Sequence, residues 1–75
     1  MNTELLKRIE INPKVLCGKP VIKGTRISVK LILGDLAFGR NFVDIMNDYD
    51  IAEDDIRAAS TYAHELVANE ELIEV

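Results

Sequence analysis

The sequence predicts a mostly α-helical domain in which short β-strands or a hairpin precede a three-helix bundle with a helix-turn-helix outline. Its N-terminal third alternates apolar and charged residues and carries turn signals. The pattern then switches at Ser28 to helical spacing. At 75 residues the chain is one small domain. We expect a dimerisation arm at 1–27, the bundle at 28–68 and a tail at 69–75.

The N-terminal third is predicted to form two or three short strands and no helix. Ile9–Ile11 has the period-two alternation of a strand. Pro20 gives the next strand, 21–22, an edge or opening position in a sheet. Gly24 suits a turn that needs a positive φ, and 25–27 is predicted to return as a further strand.

Three helices are predicted after this ribbon. Ser28 is a good N-cap for the first, and Gly39 ends it. Asn41 caps a second helix of about two turns that stops near Asp48. The third begins at Glu53, in an acidic first turn that favours a helix N-terminus. The predicted buried positions are Val29, Ile32, Leu33 and Leu36 in the first helix, Phe42, Ile45, Met46 and Tyr49 in the second, and Ile56, Ala59, Ala63, Leu66 and Val67 in the third.

A core of this size is marginal, so small domains rely on disulfides, metals or oligomerisation. Cys17 is the only cysteine, which excludes an internal disulfide. One cysteine and one histidine cannot supply four zinc ligands. We therefore expect no cofactor and no metal, a packed Cys17, and a homodimer formed through the N-terminal ribbon.

The segment "GKPVIKGTRISV", 18–29, is not a nucleotide-binding loop. Five residues separate Gly18 from Gly24, and Lys23 precedes the second glycine, whereas a phosphate loop has four residues and then Gly-Lys. A lone cysteine without an apolar run of membrane length indicates a reducing, cytoplasmic compartment and no membrane partner.

Catalysis is not expected. His64 is predicted at the boundary of the buried face, and no nucleophile, base and orienting group can be drawn around it. Asp54 and Asp55 are adjacent on a helix, about 100° apart, and would not converge on one metal ion.

The block "GKPVIKGTRI" closely resembles the bacterial and archaeal family catalogued as domain of unknown function 433, over about residues 9–63. The matching positions are Pro13, Gly18–Ile27, Gly39, Tyr49, Glu53–Ile56 and Ala58–Ala63.

The resemblance implies a homeodomain-like helix-turn-helix with a dimerising β extension. It also implies an antitoxin of a toxin–antitoxin pair, whose partner is a nuclease-like toxin with a PIN-type fold. Two features depart from the family pattern. Ala52 stands where the family usually has Ser or Thr, and the tail after about Asn69 lies outside the pattern.

Charge is divided along the chain, whose net charge is −4. Residues 1–40 hold eight cations and three acids, a balance of +5, and residues 41–75 hold one cation and ten acids, a balance of −9. Lys19, Val21 and Lys23 are predicted to alternate onto one face. The candidate residues for binding nucleic acid or a toxin are Lys19, Lys23, Arg26, Lys30 and Arg40.

Four interpretations of these cations remain open. A dimeric β-ribbon can read a DNA groove, or surface lysines can simply protect strand edges. Alternatively, Arg26 inserts into the carboxylate-rich metal pocket of a PIN-like toxin, with the apolar tail against the toxin surface. Arg26 bracing the acidic helix of its own subunit is the remaining interpretation.

The predicted recognition helix has the wrong charge for DNA. Its candidate contacts are Glu53, Asp54, Arg57 and Thr61, and acids there repel phosphates, which supply most of the affinity for DNA. The sequence therefore predicts an antitoxin-type regulator, with operator DNA as a further partner. A dimeric protein-interaction module without a DNA role is the alternative.

Overall fold

The computed structural model describes residues 3–69, in which short strands and four helices follow one another. The elements are α1 (Thr3–Leu6), β1 (Ile9–Glu10), β2 (Val21–Ile22), α2 (Val29–Ala37), α3 (Phe42–Tyr49) and α4 (Glu53–Asn69). The prediction of a short ribbon followed by three helices is confirmed. None of the helices in the described part of the chain has the length and apolarity needed to cross a membrane.

A one-turn helix opens the described chain, so the prediction of no helix in the N-terminal third is wrong. Four residues are too few for a stable isolated helix. This one packs against α4, with Leu5 and Leu6 half-buried. Contact with α4 therefore stabilises α1. No local sequence pattern indicates such a contact.

The ribbon consists of two very short antiparallel strands, with Ile9 of β1 opposite Ile22 of β2. The returning strand predicted at 25–27 is not formed. Instead, an isolated bridge joins Val21 to Ser28 and closes a loop directly at the start of α2.

The predicted alternation of Lys19, Val21 and Lys23 onto one face is also wrong. Val21 is completely buried and Ile22 is nearly so, whereas the two lysines are exposed. In a half-buried strand, successive side chains alternate between core and solvent. Both side chains of β2 are buried, so this alternation does not hold here.

Both predicted caps at the starts of α2 and α3 are present. The Ser28 hydroxyl accepts a hydrogen bond from the Leu31 N–H at 3.0 Å. The Asn41 side-chain oxygen accepts one from the Asp44 N–H at 2.8 Å. Each satisfies a donor that the first helical turn leaves unpaired.

The C-terminus of α2 is closed by the predicted glycine. Gly39 has a φ of +91°, and its N–H donates to the Leu36 carbonyl at 3.0 Å. The Arg40 N–H reaches the Asp35 carbonyl, also at 3.0 Å. These paired bonds form a Schellman motif, which only a residue tolerant of left-handed backbone closes without strain.

The start of α4 lacks a capping hydroxyl, because Ala52 precedes it. The Asp55 carboxylate accepts the Ala52 N–H at 2.9 Å, which is the half of a capping box that the third helical residue provides. Arg8 donates to the same carboxylate at 3.0 Å, so Asp55 also ties the N-terminal segment to α4.

The core is built around isoleucines contributed by β2 and the three long helices, each 3% exposed or less. The buried cluster comprises Ile22, Val29, Ile32, Ile45, Ile51, Ile56 and Ala59. Burial of Leu66 and Val67, predicted from helical spacing, is wrong: they are 53% and 54% exposed.

Replacing Asp55 with alanine should destabilise the fold more than replacing its neighbour Asp54. The Asp55 side chain is 13% exposed and the Asp54 side chain 56% exposed. Losing the cap and the partly buried ion pair should lower the unfolding free energy by about 1–2 kcal/mol. D54A should change it by less than about 0.5 kcal/mol. Urea unfolding followed by circular dichroism measures both, and equal losses would contradict this role for Asp55.

Candidate interaction surface

The nine cationic side chains divide into two structural groups. Four make ion pairs with described residues: Lys7, Arg8, Arg40 and Arg57. The other five make none within residues 3–69: Lys14, Lys19, Lys23, Arg26 and Lys30. All five fall within 14–30, a stretch that contains no Asp or Glu. We call this stretch the cationic segment; its charge is available to a partner.

The cationic segment begins with an unusual left-handed turn. Leu16, Cys17 and Gly18 have φ values of 47°, 57° and 83°. Cys17 is exposed here, so the prediction that it is packed is wrong. For the two residues with a Cβ, this conformation costs about 1–2 kcal/mol each. Hydrogen bonds from the Gly18 N–H to the Val15 carbonyl at 3.0 Å and from the Lys19 N–H to the Leu16 carbonyl at 3.2 Å hold the turn closed.

A second turn presents Lys23 and Arg26 to solvent. The Thr25 hydroxyl donates to the Ile22 carbonyl at 2.7 Å and accepts the Ile27 N–H at 2.9 Å. The Lys23 N–H donates to the Arg8 carbonyl at 2.8 Å. The backbone of this turn is therefore fixed, and two exposed cations project from a rigid support.

An apolar groove of about 560 Å³ lies between the start of β2, α2 and α4. Leu33, Tyr62 and Leu66 contribute to its apolar wall, and Lys19 and Lys30 supply its cations. Among residues 3–69, no acidic side chain lines it. The full lining is Lys19, Pro20, Ser28, Val29, Lys30, Leu33, Gly34, Tyr62, Ala63 and Leu66. The exposed Leu66, which sequence periodicity assigned to the core, belongs to this groove.

The predicted contacts of the recognition helix are engaged within the chain. Glu53 accepts two hydrogen bonds from Arg57, at 2.8 and 3.1 Å, and the Arg57 guanidinium lies 6.0 Å from the Phe42 ring centre. Asp54 is 3.8 Å from Arg8, and Thr61 is half-buried.

Arg8, and not Arg26, braces the acidic start of α4. Arg26 is exposed and makes no ion pair among residues 3–69, whereas Arg8 contacts both Asp54 and Asp55. Sequence reasoning missed Arg8 because its partner Asp55 lies 47 positions away. No local signal indicates a pairing at that separation.

Arg40 stands apart from the other candidate cations. It pairs with Asp35 at 3.3 Å and with Asp48, and the hydrogen bond to Asp48 raises its pKa. Tyr49 donates to the same Asp35 carboxylate at 2.6 Å. This cluster links α2 to α3, and its carboxylates balance the charge of Arg40.

The chain matches a known protein family. The family model described as a protein of unknown function, DUF433, matches residues 9–63. The chain belongs to the DUF433 family. Searches of curated proteins and of solved structures returned no match. The DUF433 match includes the whole cationic segment and ends at Ala63, before the last groove residue, Leu66.

Tyr49 should ionise above its ordinary pKa of 10.0, because the hydrogen bond to the Asp35 carboxylate raises the pKa by favouring the neutral phenol. A raised folded-state pKa means that this stabilisation is complete below pH 10.0 and is lost as pH rises through the folded pKa. Tyrosinate absorbance measured in Y62F, which retains only Tyr49, should give this high midpoint. Adding D35N should lower it, and a midpoint at or below 10.0 in Y62F would contradict the assignment.

Proposed function

We propose that this DUF433 chain is an antitoxin-type regulator that binds a partner toxin protein through the groove and the cationic segment. The observation that carries the proposal is the apolar groove bordered by Lys19 and Lys30, neither of which has an ion-pair partner in residues 3–69. An apolar centre with a charged rim is the usual anatomy of a protein-binding surface.

The chemistry of the surface favours a partner that is apolar and acidic. Burying the groove walls removes apolar area from water, at roughly 25 cal/mol per Å². The unpaired cations attract carboxylates and speed encounter. A PIN-like nuclease, which holds its metal with carboxylates, presents such a target, and Arg26 on its rigid turn is the candidate side chain for that pocket. The apolar tail proposed to secure the toxin lies outside the described residues.

Operator DNA is the second candidate partner, favoured by the concentration of five unpaired cations in one acid-free stretch. DNA binding through α4, as in a helix-turn-helix reader, has less support. The first turn of α4 carries Glu53, Asp54 and Asp55, which oppose phosphates. We therefore assign any DNA contact to the cationic segment.

Groove substitution should abolish toxin binding while leaving the chain folded. L66D places a charge against the apolar groove wall, and V43D changes a residue that is 62% exposed on α3, away from the groove. After co-expression with the tagged product of the adjacent gene, we expect V43D to copurify as the unchanged chain does. L66D should no longer copurify with the tagged protein. R26A should still copurify but fail to suppress its nuclease activity. Equal copurification of L66D and V43D would contradict the groove assignment.

DNA binding should depend on salt and on the cationic segment. Each phosphate contact contributes about 0.9 to the slope of log affinity against log salt concentration. Fluorescence anisotropy with upstream DNA should therefore give a slope reduced by about 1 in K23A and in R26A. K7A is the matched control, because Lys7 already pairs with Glu4 at 3.1 Å. No binding at low salt would leave the chain as a protein-interaction module without a DNA role.

A further inference from the structure

The residues that follow Asn69 combine acidic and apolar side chains. They are three glutamates and three apolar residues, in the order Glu70, Glu71, Leu72, Ile73, Glu74 and Val75. This stretch, which we call the acidic segment, lies outside the described residues. A surface that binds it must offer both apolar area and unpaired cations.

The apolar groove offers this combination. Among residues 3–69 its lining carries two cations, Lys19 and Lys30, and no acid. The hollow of about 320 Å³ beside Phe38 differs, because Lys30 and Asp35 both line it and their charges cancel. Charge complementarity with the three glutamates therefore favours the groove over the hollow.

The two lysines of the groove border one junction of the fold. The Val29 N–H donates to the Pro20 carbonyl at 3.0 Å, which holds the start of α2 against the start of β2. Lys19 directly precedes Pro20, and Lys30 directly follows Val29. The positive charge of the groove is thus concentrated where these two elements meet.

The acidic segment begins close to the groove. Leu66 in the groove wall is three residues before Asn69, about 4.5 Å along the axis of α4. The α4 wall of the groove extends from Leu66 back to Tyr62, about 6 Å. A tight reversal has about two central residues, and six extended residues span up to about 20 Å. The segment is therefore long enough to turn back and run along this wall.

We propose that the acidic segment occupies the apolar groove of its own chain. Leu72 and Ile73 cover the apolar wall, and the glutamates face Lys19 and Lys30. Because the segment is tethered to α4, its contact avoids the loss of translational freedom that two separate molecules incur. A contact area well below that of a specific dimer is therefore sufficient.

A partner that binds the groove must then displace the acidic segment. Its apparent affinity is reduced by the fraction of chains in which the groove is free. This consequence rests on the proposed function, which assigns the groove to a partner, whereas the contact within the chain does not. Experiments on the chain alone therefore distinguish failure of the contact from failure of the proposed function.

Amide signals in NMR spectra of the isotope-labelled full chain test the contact. L72D/I73D should shift the signals of Lys30 and Leu33, which line the groove but lie at least 39 positions away in the sequence. V67D is the matched control, because Val67 is 54% exposed on α4 and does not line the groove. It should leave both signals in place. Unshifted signals in L72D/I73D, or equal shifts in V67D, would overturn the proposal.

A disulfide identifies which chain supplies the segment. In a C17S background, L33C with I73C should oxidise to an internal disulfide, so that the chain runs as a monomer on a non-reducing gel. V43C with I73C places the first cysteine on α3, away from the groove, and should oxidise about 10-fold more slowly. A disulfide-linked dimer would assign the groove to the segment of a second copy, and equal rates would indicate no docking; either result would overturn the proposal.

Charge reversal tests the contribution of the two lysines, both of which are exposed. In the L33C/I73C chain, E70K/E71K/E74K should slow formation of the internal disulfide about fivefold, and so should K19E/K30E. Combining the two sets should restore the rate. Each rate is taken relative to the V43C/I73C chain with the same charges, which corrects for changed cysteine reactivity. Rates that do not respond to either set, or that the combination does not restore, would contradict the assigned charge contacts.

Discussion

Four isoleucines, one from each main element, set the orientation of everything else in this domain. Ile22, Ile32, Ile45 and Ile56 are contributed by β2, α2, α3 and α4, and none is more than 3% exposed. A chain of this length can build only a small hydrophobic core. Each element must therefore turn its isoleucine inward, and that constraint decides which residues face solvent. Gly34 and Phe38 face outward because Ile32 faces inward.

Ion pairing separates the cations that are paired within residues 3–69 from those that are not. Arg8 is engaged by Asp54 and Asp55, and Arg40 by Asp35 and Asp48. These pairs fasten the N-terminal segment to α4 and α2 to α3. The cationic segment contains no acid, and its five cations make no ion pair with other described residues. The paired carboxylates of Asp35, Asp48, Asp54 and Asp55 thus hold the fold. The cations of the cationic segment make no such contribution within residues 3–69.

The local backbone supports this division. The left-handed turn at 16–18 is strained at Leu16 and Cys17, and it leads directly into Lys19 at the groove. The turn that carries Lys23 and Arg26 is fixed by hydrogen bonds through Thr25. Cations on rigid turns lose less conformational freedom on binding than cations on mobile loops.

The sequence by itself determined the helix starts at Ser28 and Asn41, the glycine that ends α2, and four of the five cations in the cationic segment, namely Lys19, Lys23, Arg26 and Lys30. Each of these depends on hydrogen bonds or charges within a few residues, so a local pattern reports it. The tertiary structure alone decided that Arg8 pairs with Asp55, because these partners are 47 positions apart. It also decided that α1 forms and that Leu66 lines a groove. Helical spacing identifies the face on which Leu66 lies, but the packing of the neighbouring elements determines whether that face is covered.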